Sequence, residues 1–366
     1  MRKILAIAAA GAMVLTMSSC GRSDDSDSAA GISGGEKGTI GVAMPTKTSE
    51  RWIKDGDYMK AELEKAGYKV NLQYANDDIP TQVTQVNDMV TKENQVLVVA
   101  SIDGTALAGV LKQAKEAGIP VIAYDRLLRS TEAVDYYTTF DNLKVGVQQA
   151  ESLVKGLEAS GVPKPWNVEL FAGSPDDNNA TFFFNGAMQV LQPMIDSGDI
   201  VIPSGETDFK TVATLRWDAA VAKKRMENLL TKSYSNKDVH GVLAPYDGLS
   251  RGIIAALKGS GYGSGGKDLP VITGQDAEIE SVKSILADEQ YSSIFKNTQD
   301  LAKQTVKMIQ QIAQEKKVEV NDTKTYDNGV KVVPTFLLQP VEVDKSNIEQ
   351  VLLDAEYYTA EEMGGS

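Results

Sequence analysis

One cysteine, one histidine and no apolar run of bilayer length distinguish this 366-residue chain, and each shortage removes a class of function. A single Cys20 permits no disulfide within the chain, so stability has to come from ordinary apolar cores. The lone His240 excludes the usual His and Cys metal cluster by count. No GxSxG elbow offers a nucleophile that His240 could activate, and its place at the start of a strand pattern makes a structural role the expectation. No GxxxxGK(S/T) sequence occurs, so the chain has no visible way to hold ATP. GYGSGG at Gly261 to Gly266 formally matches GxGxxG, but it follows a helical pattern and precedes a strand, the reverse of what a dinucleotide site requires. It reads as a helix cap and loop. Positive charge is also in deficit, with a formal net charge of -13, which suits neither nucleic acid nor an anionic lipid surface. No cofactor and no metal is expected.

What is present begins with MRKILAIAAAGAMVLTMSSC. The apolar stretch from Ile4 to Thr16 is shorter than the ~20 residues that span a bilayer, and it follows a basic start, so residues 1–19 read as an export signal. Ser18-Ser19-Cys20 resembles a bacterial lipobox, which would make Cys20 the acylated first residue of the mature protein, anchored to a membrane by lipid alone. From Cys20 to Gly38 the chain is small and polar and reads as a flexible tether. Its reach is roughly 23 Å.

From Thr39 onward short apolar strands alternate with amphipathic helices. TIGVAMP, KVNLQYA, QVLVVAS, PVIAYD and DYYTTFD form one series; NVELFAG, DIVIPSG, HGVLAPYD, LPVITGQD and YSSIFK form a second. This is the pattern of two successive doubly wound α/β units. A last helix, LAKQTVKMIQQIAQE, and a strand, VPTFLLQPVEV, are expected to return to lobes already built. The expected division is 39–141 plus 297–332 for one lobe and 142–296 plus 333–366 for the other.

Open parallel sheets bind ligands beyond the carboxyl ends of their strands. There the sequence places Asp125-Arg126, Asp247 and Asp276, with Asp177, Asn178 and Asn179 on a loop and Lys296 closing SSIFK. Carboxylates paired with planar donors and no nucleophile suit a ligand made of hydroxyl groups, each of which donates and accepts. Arg51-Trp52 and Arg216-Trp217 stand at predicted helix starts, where an indole can stack on a sugar face while arginine serves the rim. Phe182, Phe183 and Phe184 are further stacking candidates, with Phe184, on the apolar face of its helix, expected in the core.

Taken in order, GTIGVAMPTKTSERW, VIAYDR, FDN, GSPDDNNA, LRWD, PYDG and GQDAE resemble the substrate-binding proteins of bacterial sugar ABC importers, in the multiple-monosaccharide branch near the xylose-binding proteins. The resemblance implies a periplasmic binding protein type I fold, two Rossmann-like lobes joined by three crossovers with a monosaccharide between them. It implies ligand contacts from Lys47, Arg51, Trp52, Asp125, Arg126, Asp177, Asn179, Trp217, Asp247, Asp276 and Lys296. Asp247 departs from the Asn common at that position, and an ionised Asp cannot donate. The implied partners are a pentose or hexose and a permease with separate ATPase subunits, the protein acting as a monomer. A receptor that presents its liganded form to a sensor kinase is compatible with the same residues. A glycosidase on this fold is disfavoured by the cations matched to each carboxylate, and a repressor core lacks its helix-turn-helix.

Overall fold

The computed structural model describes residues 37–264 and 266–364. The expected export signal, Cys20 and the expected tether up to Glu36 lie outside the described residues. No helix among the described residues is long and apolar enough to cross a membrane.

The first series forms β1 (Thr39–Met44), α1 (Glu50–Lys65), β2 (Lys69–Tyr74), α2 (Ile79–Thr91), β3 (Val96–Val99), α3 (Ala108–Glu116), β4 (Val121–Tyr124) and β5 (Tyr136–Phe140). The second runs through α4 (Asn142–Ala159), β6 (Trp166–Leu170), α5 (Asn178–Asp196), β7 (Ile200–Val201), α6 (Phe209–Val212), α7 (Ala219–Ser233), β8 (Gly241–Leu243), α8 (Asp247–Gly259), β9 (Val271–Ile272), α9 (Ile279–Leu286) and β10 (Ser292–Phe295). Then come α10 (Thr298–Ala313), β11 (Thr335–Leu338), β12 (Val341–Asp344) and α11 (Ile348–Asp354).

Two parallel sheets result, in the orders β11-β5-β4-β3-β1-β2 and β7-β6-β8-β9. Parallel strands are covered on both faces, and the two-residue period sorts their side chains accordingly. Val42, Val98, Ile122 and Tyr124 pack with Met59, Leu63 and Leu301 of α1 and α10. Leu97, Val99, Val121 and Ala123 face the other way, toward Met89 and Leu111 of α2 and α3. The second sheet repeats the scheme, with Leu170 and Leu243 toward α4 and α5 and Val242 and Ile272 toward α7 and α8. Phe184 belongs to the α4–α5 side, as expected.

The chain changes sheets three times. Asp141 follows β5 and caps α4 by accepting from the Lys144 N–H, and Asn297 follows β10 and caps α10 by accepting from Gln299. The third handover corrects the sequence expectation. VPTFLLQPVEV is two strands: β11 pairs with β5 in the first sheet, while β12 pairs antiparallel with β10. Pro340 lies between them, and without an N–H it cannot extend the β11 ladder. Residues 333–338 therefore belong with the first lobe, and the crossover falls at Gln339–Pro340 instead of Val333–Pro334. His240 keeps a structural place, its Nδ1 accepting from the Asn167 N–H at 3.0 Å. Gly261, Gly263 and Gly266 all have positive φ, the conformation a helix cap and loop require.

Candidate functional site

β4 ends at Tyr124, and the next residue sits with φ 58, in the left-handed region that a non-glycine residue rarely adopts. The Arg126 N–H bonds back to the Tyr124 carbonyl at 2.6 Å, so Asp125 occupies the centre of a γ-turn. Its carbonyl is held by Asn179 Nδ2 (2.8 Å), Thr139 Oγ1 (3.0 Å) and the Tyr137 hydroxyl (2.5 Å). Such strain of ~1–3 kcal/mol persists only where the surroundings enforce it. The strain aims a carboxylate off the strand end into a cavity between the two sheets. Asp276, after β9, is placed in the same way with φ 90.

The cavity has a volume of about 480 Å³, within the ~300–1,000 Å³ of small-molecule sites. At its base lies a buried lattice of charge. Arg51 donates from NH1 to Asp125 Oδ2 (2.9 Å) and from Nε and NH2 to Asp55 Oδ2 (2.9 and 2.7 Å). Lys296 Nζ lies 3.1 Å from Asp276 Oδ1 and 3.8 Å from Asp125 Oδ2. Burial alone would raise Asp125, but Arg51, Lys296 and Arg126 outweigh it and hold the carboxyl below its ordinary range. Burial works against the Arg51 charge as well, and Asp125, Asp55 and Asp276 more than reverse it. Asp55, which also accepts a short bond from the Tyr124 hydroxyl, is pushed up to about 6 by burial. Asp177 caps α5 and faces Arg126 Nε at 3.1 Å across the cleft. Burial raises it, with Arg126 opposing.

Aromatic rings wall this lattice. Trp52 is buried, with the Arg51 guanidinium 4.2 Å and the Arg126 guanidinium 5.0 Å from its ring centroid. Trp217 is half-buried and edged by Phe183 and Tyr246. It rests against Gly173, where a Cβ would come within 2.0 Å of the indole. Gln275 Oε1 is buried at the cavity and makes no hydrogen bond to the described residues, while Asp276 Oδ1 beside it is engaged by the Lys296 ammonium at 3.1 Å. An unpartnered amide oxygen beside buried carboxylates, cations and an aromatic wall fits a hydroxylated ring.

Residues 40–317 match the model of the periplasmic binding protein domain. The chain belongs to the periplasmic binding protein family. It is 59% identical over 328 residues, covering 90% of this chain and 93% of the relative, to the multiple sugar-binding periplasmic receptor ChvE of Rhizobium radiobacter. It is 36% identical over 326 residues to the D-xylose-binding periplasmic protein of Escherichia coli, covering 88% and 92% of the two chains. An ABC transporter solute-binding protein from Clostridium phytofermentans, solved with bound β-D-glucose, superposes with a TM-score of 0.84 at 44% identity, over 89% of this chain and 99% of that one. The type I architecture expected from the sequence is the one this binding protein has.

Of the residues expected at its site, Arg51, Trp52, Asp125, Arg126, Asp177, Asn179, Trp217, Asp276 and Lys296 line the cavity. Asn179 is largely engaged within the protein, bonding the Asp125 carbonyl and accepting from Tyr137 and Asn142. Two others are elsewhere. Lys47 is exposed, its ammonium 4.7 Å from the Tyr74 ring centroid, while its neighbours Thr46, Thr48 and Ser49 turn to the cavity. Asp247 is fully buried behind the site and does not line it. Its oxygens accept from the Glu278 N–H, Gln290 Nε2 and Ser293 Oγ, all at 2.9 Å, which ties down the loop bearing Gln275 and Asp276. The strand end that presents the Tyr246 ring and Gly248 to the cleft thereby sends the Asp247 side chain the opposite way. Gln275 was not among the expected contacts, although it stands beside Asp276 in GQDAE. Nothing in its spacing separates it from an ordinary strand-end residue; burial without a partner does.

Proposed function

We propose that this protein captures a single pentose or hexose outside the cytoplasm and delivers it to an ABC permease with separate ATPase subunits. It is a solute-binding component and not an enzyme. The observation that carries the reading is the buried lattice Arg51–Asp125–Asp276–Lys296, faced by Trp52 and Trp217 and leaving the Gln275 amide oxygen open to a hydroxyl donor. Each ring hydroxyl can donate to a carboxylate or amide oxygen and accept from Arg51, Arg126 or Lys296. The multiple sugar-binding and D-xylose-binding relatives and the glucose-bound neighbour support a monosaccharide ligand, and the candidates are xylose, arabinose, ribose, fructose, glucose and galactose.

Anchoring through acylated Cys20, a 20–38 tether and a monomeric state complete the proposal. A sensor-kinase receptor role is its alternative. A thermal-shift screen with those six sugars, followed by calorimetry, tests the reading. Saturable one-to-one binding of at least one of them is expected, and no binding of any would overturn it.

A further inference from the structure

The helices that enter the cleft from opposite lobes have both left their own N-terminal caps unmade. Ser49 is the N-cap of α1, with extended backbone at φ -102 and ψ 132, yet its side chain makes no capping bond to that helix. A serine in this place ordinarily accepts from an N–H of the first turn. Here its hydroxyl reaches across the cleft and donates to Glu278 Oε1 at 2.9 Å. Glu278 is in turn the N-cap of α9 and caps nothing there. The first N–H of α9, that of Ile279, is taken by Glu50 Oε2 of α1 at 3.1 Å. The start of α9 is thus completed by the other lobe, and the N-cap serine of α1 is drawn across the cleft to Glu278. Glu278 is steadied within its own lobe by the Tyr246 hydroxyl (2.7 Å) and Arg251 NH2 (2.6 Å), and Glu50 accepts a second cross-lobe bond from the Tyr358 hydroxyl (2.8 Å). Neither lines the cavity, although each adjoins residues that do: Arg51 and Trp52 follow Glu50, and Gln275 and Asp276 precede Glu278.

We infer that these cross-cleft bonds form a closure clasp, in which Glu50 and Glu278 are positioning residues that hold the closed lobes together without touching the sugar. The inference rests on the sugar-binding reading. When the lobes part, the α9 N–H and Glu50 return to water, and the Ser49 hydroxyl regains the first turn of α1. The clasp therefore adds only its net difference to closure, and it acts on escape of the ligand more than on its entry.

The test is Glu50→Ala in the full chain, with D-glucose and D-xylose as probes and stopped-flow fluorescence as the readout. Dissociation should be about tenfold faster, the equivalent of ~1.4 kcal/mol, with association, the ratio of the two affinities and the sugar-free thermal midpoint all unchanged. Glu50→Gln, which keeps one acceptor, should fall between. An unchanged dissociation rate overturns the clasp. So does a sugar-free midpoint that drops as far as the sugar-bound one, since the contact would then be merely structural. A changed affinity ratio would also overturn it, by showing that Glu50 reads the sugar directly. Failure of the wild-type protein to bind either probe or any other sugar of the six-member panel is a different result, and it overturns the sugar reading itself.

Discussion

Replacing Asp125 with asparagine separates the charge of the site from its shape. Asparagine tolerates the left-handed φ of 58 that the γ-turn imposes, and the clamps on the Asp125 carbonyl come from the backbone side and are untouched. Arg51 keeps Asp55 and Lys296 keeps Asp276, so neither cation is stranded. What is lost is the anionic acceptor for Arg51 and for one sugar hydroxyl. Hydrogen bonds to charged groups contribute ~1.5–3 kcal/mol, which sets the expected loss at about one to two decades in affinity. Alanine is the less clean probe. It adds up to ~1–2 kcal/mol of left-handed strain that a short polar side chain eases and leaves Arg51 NH1 without the amide acceptor that asparagine retains, so its effect on stability would obscure its effect on binding. Calorimetry with the preferred sugar, beside thermal unfolding without it, measures both quantities for D125N. Affinity within twofold of wild type would refute the assignment of Asp125 to the hydroxyl-binding lattice.

Gly173→Ala should displace the Trp217 indole, because the new Cβ would lie 2.0 Å from it; an affinity loss of about tenfold with altered tryptophan fluorescence is expected, and an unchanged spectrum would place the indole elsewhere. Asp247 is pushed up to about 8 by burial, so the stability its neutral form contributes is present at low pH and declines as pH rises through 8. The corresponding Asp55 contribution is already lost by about 6, so Asp247→Asn should flatten the fall in thermal midpoint between pH 6 and 8 and leave sugar affinity at neutral pH within about twofold, a two-state allowance made for its place behind the site. A persisting slope would exclude Asp247 as its source. Sugar should lower the radius of gyration by rotation at Asp141, Lys296 and Gln339–Pro340, and small-angle scattering that finds no compaction at saturation would remove this hinge. Cys20→Ser should move the protein from the membrane to the soluble extracytoplasmic fraction, and continued sedimentation with membranes would require another anchor.

The sequence by itself determined the class of fold and most of the chemistry of the cleft. Continuous apolar runs such as VLVV and VIAY can be satisfied only in parallel sheets covered on both faces, and carboxylates at the ends of those runs open onto one crevice. Asp125, Asp276 and Lys296 were legible for that reason. Tertiary structure alone decided where side chains point once the period-two rule of the strands ends. Lys47 turns to Tyr74 while its neighbours face the cavity, and Asp247 turns inward to hold the Gln275–Asp276 loop, because turn geometry and local partners, not spacing, fix direction beyond a strand. The division of VPTFLLQPVEV between two sheets was likewise invisible in the residue pattern, since either half can be a strand and only the available partner, β5 for one and β10 for the other, assigns each to its lobe. The cross-cleft bonds of Ser49 and Glu50 belong to the same kind: Ser49 is an ordinary cap residue in sequence, and only the meeting of two lobes sends its hydroxyl to Glu278 and Glu50 to the start of α9.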